Sequence, residues 1–362
     1  MHKYIFLDGI RGIAALFVVI WHTTAFWGFR VAHAYLAVDL FFLLSGFVIG
    51  SAYEAKLANR TMNFAQFVKT RVIRLYPVYF LSIMLTLVNL ALQFHQGNDI
   101  GFTSSDLITS TTLTLFFLPS ITSHAPFLFT LNPVYWSLFY ELTANFLFAI
   151  FRRLLNTRVL LGTITTLGIV LLGGTYLEGD TNFGMTWSIT SIAGALTRSI
   201  FGMFYGILLF RHKELIFRKL DKIKISPWFI VLTIALVLAL PQPDKLNYVY
   251  EILAIWFLFP VSLMFLAKDN PGKGKQLMVI LGSASYPIYV LHEPISNMAE
   301  LLLKNYAVDY APFTGILFIA TIVAGSVFLE KFIDMPIRKK LTKSLIYPSS
   351  ITQISVGGLE KK

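Results

Sequence analysis

With 362 residues, of which 56% are hydrophobic and only 14% charged, at a mean hydropathy of +0.68, the chain lacks the polar residues to coat a water-soluble fold. It contains no cysteine, which excludes disulfides, thiolate metal sites and a cysteine nucleophile. The net charge of +11 sits mostly in loops between apolar runs, where it suits anionic lipid headgroups, and gives nucleic-acid binding no support.

The fold class is therefore all-α: a polytopic transmembrane helical bundle embedded in the lipid bilayer. Apolar runs near the roughly 20 residues that a bilayer core requires lie at about 10–29, 34–51, 77–95, 134–151, 159–177, 188–210, 227–241, 247–267, 277–303 and 312–330. About ten helices follow. The first run resembles a signal peptide, but no small-residue cleavage site follows Phe26, Trp27 and Gly28, so it is read as a retained helix.

Several runs carry ionisable residues, which are functional candidates by default at membrane depth. The first holds Arg11 and His22 in LDGIRGIAALFVVIWH, and the second Asp39 in AVDLFFLLSGFVIG. Ahead of the third, KTRVIRLYP places Lys69, Arg71 and Arg74 before a helix that Pro77 is expected to start. Arg71 and Arg74 share a helical face, and guanidinium forks suit phosphates, although a basic anchor on the inner face explains them as well. Residues 101–131 are apolar enough to enter the membrane, yet one crossing there would invert every later loop. They are read as a re-entrant or interfacial outer segment, tolerated at depth only where buried in protein or lining a cavity. Glu141 follows in WSLFYELTANFLFAI, Arg198 in TSIAGALTRSIFGMFYGILLF and His292 in SYPIYVLHEPI.

Counted over the loops with an inside N-terminus, 26 of the 30 Lys and Arg fall on one face, which places both termini in the cytoplasm. Arg30, Lys245 and Lys304 fall outside, and Arg198 within a span. No internal repeat or composition shift marks a second domain. Residues 1–341 are read as one membrane domain and 342–362 as a short polar cytoplasmic tail.

Helical rise puts His22 roughly 16 Å above Arg11, Asp39 about 8 Å and Glu141 about 10 Å below the outer ends of their helices, and His292 about 22 Å above an inner end. Two imidazoles and two carboxylates at one depth are the ingredients of a general-base site, in which Asp39 or Glu141 would orient His22. Arg198, about 15 Å into its span, is either the partner of one of these carboxylates or a substrate anchor. No short ligand spacing supports a metal site. The same intramembrane charges would also fit a proton-coupled transporter or flippase, although the repeats and paired broken helices common in transporters are not seen.

As a set, LDGIRGIAALFVVIWH, VDLFFLLSGFVI, RVIRLYP, WSLFYE, SYPIYVLH and EKFIDMPIRKKL resemble the acyltransferase-3 family of integral membrane O-acyltransferases, in the family's order from Leu7 to about Leu341. The resemblance implies ten membrane helices and transfer of an acyl group, usually acetyl from acetyl-CoA, to a sugar hydroxyl in a polysaccharide, glycolipid or glycoside. The Arg-x10-His signature matches Arg11 and His22, and Arg-x-x-Arg matches Arg71 and Arg74. The resemblance implies that His22 is catalytic and that Arg71 and Arg74 serve the acyl-CoA donor; joined to the depth reading, the candidate set is His22, Asp39, Glu141 and His292 for catalysis and Arg11, Ser45, Arg71, Arg74 and Arg198 for the donor, with no metal. Two departures stand out: Ala37 replaces a frequent glycine, and paired glutamates are reduced to Glu141. The chain stops before the extracytoplasmic hydrolase-like domain of several relatives, so it is expected to act alone or with polysaccharide-biosynthesis partners, in a cytoplasmic (inner) or plasma membrane.

Overall fold

The computed structural model describes residues 4–121, 126–268, 272, 274–303 and 305–346. Among them the secondary structure is helical, with one isolated antiparallel bridge between Phe127 and Thr186. In chain order the helices are α1 (Ile5–His22), α2 (Ala37–Ile49), α3 (Ala55–Ala58), α4 (Phe64–His95), α5 (Ser104–Leu115), α6 (Tyr135–Phe151), α7 (Thr157–Glu178) and α8 (Ile189–Arg211). Then come α9 (Lys213–Leu220), α10 (Pro227–Ala239), α11 (Asp244–Leu253), α12 (Phe259–Lys268), α13 (Lys275–Leu303), α14 (Tyr306–Asp309), α15 (Phe313–Leu329) and α16 (Met335–Leu345). Three wider π-helical turns, Gly50–Glu54, Ala254–Leu258 and Glu330–Asp334, join α2 to α3, α11 to α12 and α15 to α16 without a break.

Each of the ten apolar runs falls on one of these helices. Among the described residues, seven continuous helices are long and apolar enough to cross a membrane: Ile5–His22, Ala34–Ala58, Phe64–His95, Thr157–Glu178, Ile189–Arg211, Leu246–Lys268 and Phe313–Leu345. The other three runs fall on α6, with 17 residues, α10, with 13, and α13, which has the length but is more polar. α2 is central, with 78% of its most apolar stretch buried against 17% for the α15–α16 helix, whose Phe313, Ile316 and Leu317 face outward.

Two boundaries differ from expectation. α4 begins at Phe64 rather than Pro77, because Asn63 and Gln66 form a reciprocal capping box that starts the helix a full three turns earlier. Arg71 and Arg74 therefore sit inside a helix. At the other end, α16 runs through Leu345, past the expected domain edge at 341, and residues 347–362 of the expected tail lie outside the described residues.

The segment around 101–131 forms the twelve-residue α5, about 18 Å long, too short to cross a core of about 30 Å. It is pinned from both sides. The Tyr79 hydroxyl donates to the Thr114 carbonyl at 2.7 Å, and the Tyr79 ring stacks on Phe117 at 4.1 Å. Leu128 N–H donates to Met185 O at 2.8 Å, and the Trp187 indole donates to Ser120 O at 3.2 Å.

Two helix pairs form the bundle's centre, α1 with α13 and α2 with α8. Lipid supplies no hydrophobic drive for helices to associate, so close packing must do it, and small residues permit the approach. A Cβ at Gly12 would meet the backbone of Leu281, and one at Gly46 the backbone of Met203. Pro294 within α13 has no N–H for the Val290 carbonyl, and Ser82 of α4 donates to that carbonyl instead at 2.7 Å. Tyr135 of α6 in turn donates to Ser82 at 2.7 Å, so the proline's missing donor becomes a three-helix joint.

Candidate functional site

At the end of the bundle where α1 begins lies a cavity of about 310 Å³. Asp8 and Arg11 line it from α1, Ser45 from α2, Arg71 and Arg74 from α4, Glu141 from α6, and Glu330, Asp334 and Arg338 from the α15–α16 helix. Arg71, 2% exposed, donates through Nη2 to Glu141 Oε1 at 2.7 Å, and Ser45 Oγ donates to the same oxygen at 2.7 Å. Arg338 is held between Glu330 at 2.5 Å and Asp334 at 2.8 Å. Among the described residues Arg11 and Arg74 have no hydrogen-bond or ion-pair partner, and Nε of Arg71 is buried without one. Guanidinium donors that face a cavity unpaired are suited to an anionic ligand.

His22 closes α1, and its Nδ1 lies 2.8 Å from Nε2 of His292, the two rings stacked at 5.0 Å and 15°. The protons can be assigned from the neighbours. Nδ1 of His292 faces two carbonyls, Tyr289 O at 2.7 Å and Ile288 O at 3.3 Å, so it must carry a hydrogen. In the neutral ring Nε2 of His292 is then an acceptor, and His22 Nδ1–H donates to it. The lone pair of His22 is left on Nε2, which makes that nitrogen a base with a fixed direction. Nδ1 and Nε2 of this pair, together with Glu293, bring ligand atoms within 4.8 Å of one another, a group able to hold a metal ion. A tetrahedral ion would separate its nitrogen ligands by about 3.3 Å, whereas the imidazoles stand at hydrogen-bond distance.

Asp39 and Arg198 make a separate cluster. Arg198, 1% exposed, donates Nε to Asp39 Oδ1 at 2.9 Å, Nη2 to Oδ2 at 2.6 Å, Nη1 to Phe183 O at 3.0 Å and Nη2 to Tyr35 O at 3.3 Å. Beyond it, Tyr35 donates to Glu251, which also receives Asn247 Nδ2 at 2.7 Å and Thr181 N–H at 2.6 Å. Neither Asp39 nor Arg198 lines the arginine cavity.

The fold thus brings together His22 with His292, and Arg11, Ser45, Arg71 and Arg74 with Glu141. It does not deliver the carboxylate expected beside His22, since Glu141 is engaged by Arg71 and Ser45 and Asp39 by Arg198, and an imidazole takes that place. The first reading of Arg198, as partner of a carboxylate, describes its contacts, and each of its nitrogens is engaged within the protein. Sequence reasoning missed Arg338, Asp334 and Glu330, which lay in a quoted motif without an assigned role, and Glu251, which lay unremarked in the apolar run 247–267.

A second, small cavity of about 30 Å³ surrounds His22, with Val18, Trp21, Trp136 and Met185 among its walls. Val38 and Tyr289 line it and the arginine cavity alike. Tyr289 is buried, and its hydroxyl lies 2.6 Å from Ser137 Oγ, which itself donates to Val134 O at 3.0 Å, so the tyrosine is the donor.

The profile of a family described as an acyltransferase domain matches residues 4–330. Protein 2 in the picA locus of Rhizobium radiobacter is 43% identical over 164 residues, covering 41% of this chain and 81% of that protein. The O-acetyltransferase OatA of Staphylococcus aureus is 24% identical over 366 residues, 94% of this chain, which spans only 58% of that relative's length. A putative peptidoglycan O-acetyltransferase of Bacillus subtilis, YrhL, is 36% identical over 89 residues, or 24% of this chain and 14% of that one. No solved structure matches.

Proposed function

This chain belongs to the acyltransferase-3 family, and on that premise we propose that it is a membrane O-acyltransferase moving an acetyl group from acetyl-CoA to a sugar hydroxyl. The observation that carries the reading is the line from unpaired arginines, across one cavity, to a base of fixed direction beyond Val38 and Tyr289. Phosphates of the donor rest on Arg11, Arg74 and the open edge of Arg71, while Glu141 and Ser45 hold Arg71 in place. The pantetheine arm runs along α1, whose eleven-residue separation of Arg11 and His22 corresponds to roughly 16 Å.

At the far end Nε2 of His22 takes the proton of the acceptor hydroxyl as its oxygen attacks the thioester carbonyl. The carbon–oxygen bond forms, the carbon–sulfur bond breaks, and the proton passes to the leaving thiolate. His292 positions His22 by accepting from Nδ1. The preference of basic loops for the inner side supports a cytoplasmic donor and an acceptor that arrives from the opposite face or the bilayer.

Calorimetric titration of acetyl-CoA into detergent-purified protein tests this reading. Wild type and His22→Ala should bind, Arg71→Ala/Arg74→Ala should bind about 10- to 100-fold more weakly, and His22→Ala should release no thiol. Absence of binding to folded wild type would overturn the reading in favour of a transporter.

A further inference from the structure

We propose that Val38 and Tyr289 form a throat that selects the acyl group by size, and that the chamber behind it admits acetyl and refuses longer chains; this rests on the acyl-transfer reading above. Among the described residues these two alone line both cavities, so a group travelling from the arginines to His22 passes between them. The chamber, at about 30 Å³, is roughly a tenth of the 310 Å³ arginine cavity, so each atom added to the acyl group meets its walls rather than open space. Acetyl has three non-hydrogen atoms, butyryl five and succinyl seven.

The throat is held on both sides. Tyr289 is fixed at its hydroxyl by Ser137 and at its ring by the edge-on Phe41, 5.4 Å away, and its carbonyl receives the Nδ1 hydrogen of His292 at 2.7 Å. A movement of the Tyr289 backbone would therefore disturb the base it guards. Val38 immediately precedes Asp39, whose paired bonds to Arg198 fix α2 against α8 at that level. The Asp39–Arg198 pair thus acts as a positioning element for one wall of the throat.

Charge adds to size. A succinyl group would carry its terminal carboxylate between Trp21, Trp136 and Val38, and the nearby guanidinium of Arg198 is already committed to Asp39, Phe183 and Tyr35. A buried carboxylate without a partner is strongly disfavoured.

The test compares acetyl-, butyryl- and succinyl-CoA as donors to the full-length protein in detergent, with water as acceptor. Thiol release reads the reaction directly, because the chain contributes no cysteine. Wild type should prefer acetyl over either longer donor by at least tenfold in kcat/KM. Val38→Ala should raise the butyryl-to-acetyl ratio at least tenfold, and Val38→Ile should lower acetyl use while leaving CoA affinity by calorimetry unchanged, which also shows that each variant is folded. Equal use of acetyl and butyryl by wild type, or a ratio unmoved by both variants, would overturn the filter alone. Binding of every donor with thiol release from none would overturn the acyl-transfer reading and the filter with it.

Discussion

Two buried arginine–carboxylate pairs lie in one bundle and differ in what they leave over. Arg198 places four of its five N–H donors on Asp39, Phe183 and Tyr35 and lines neither cavity. Arg71 gives Nη2 to Glu141, keeps Nε buried and unpartnered, and stands beside the unpaired Arg11 and Arg74. The first pair is the more deeply buried, Glu141 being 20% exposed at the cavity against 3% for Asp39. Where every guanidinium nitrogen has a partner the pair joins helices, and where one is left over beside a cavity the pair is one half of a binding site. Unspent hydrogen-bonding capacity beside open space, rather than charge, separates scaffold from site.

The sharpest way to break this contrast is Arg198→Met, which leaves Asp39 buried without its partner. A loss of roughly 3–5 kcal/mol in stability is expected, read as thermal unfolding in detergent, and adding Asp39→Leu should restore most of it. A small effect of the single change would mean that the pair is not what joins α2 to α8. Next, His292→Ala should lower turnover about a hundredfold with CoA affinity intact, the scale usual for losing one member of an acid–base arrangement. His292→Gln should recover part of this, because its amide oxygen can accept from His22 Nδ1–H; no recovery would argue against the proton assignment.

Arg71→Ala/Arg74→Ala should behave oppositely to the Arg198 change. Donor affinity should fall about 10- to 100-fold, in line with roughly 1.5–3 kcal/mol for hydrogen bonds to charged groups, while the unfolding temperature moves little. The mildest test is salt. Going from about 0.1 M to 1 M shortens the screening length from about 10 Å to 3 Å, so donor binding at the open cavity should weaken severalfold and the stability supplied by Asp39–Arg198 should not change.

The class of fold was legible because apolar runs of bilayer length have few other uses, and each run became a helix. The start of α4 was not, since Asn63 and Gln66 form a capping box whose meaning depends on the helix continuing straight through Pro77. Helical rise correctly suggested that His22 and His292 share a depth. Depth is one coordinate, however, and which helices touch is set in the membrane plane by contacts such as Gly12 on Leu281. That is why Asp39 and Glu141, placed by the same arithmetic near His22, turned out to answer to Arg198 and Arg71. Glu251 escaped notice for a related reason: beside Asn247, one turn away on its own helix, its partners Tyr35 and Thr181 come from two distant stretches of sequence.

The π-turn at Glu330–Asp334 lets a single helix carry two different surfaces. Such a turn accommodates one residue more than an α-helix of the same rise, and one residue corresponds to roughly 100° of rotation about the axis. Glu330, Asp334 and Arg338, each four residues on from the last, face the arginine cavity, while Phe328, Phe332 and Ile337 of the same continuous helix stay exposed. One rod thus serves two solvents, and a charge altered on its inner side would change the cavity while leaving the outer side as it was.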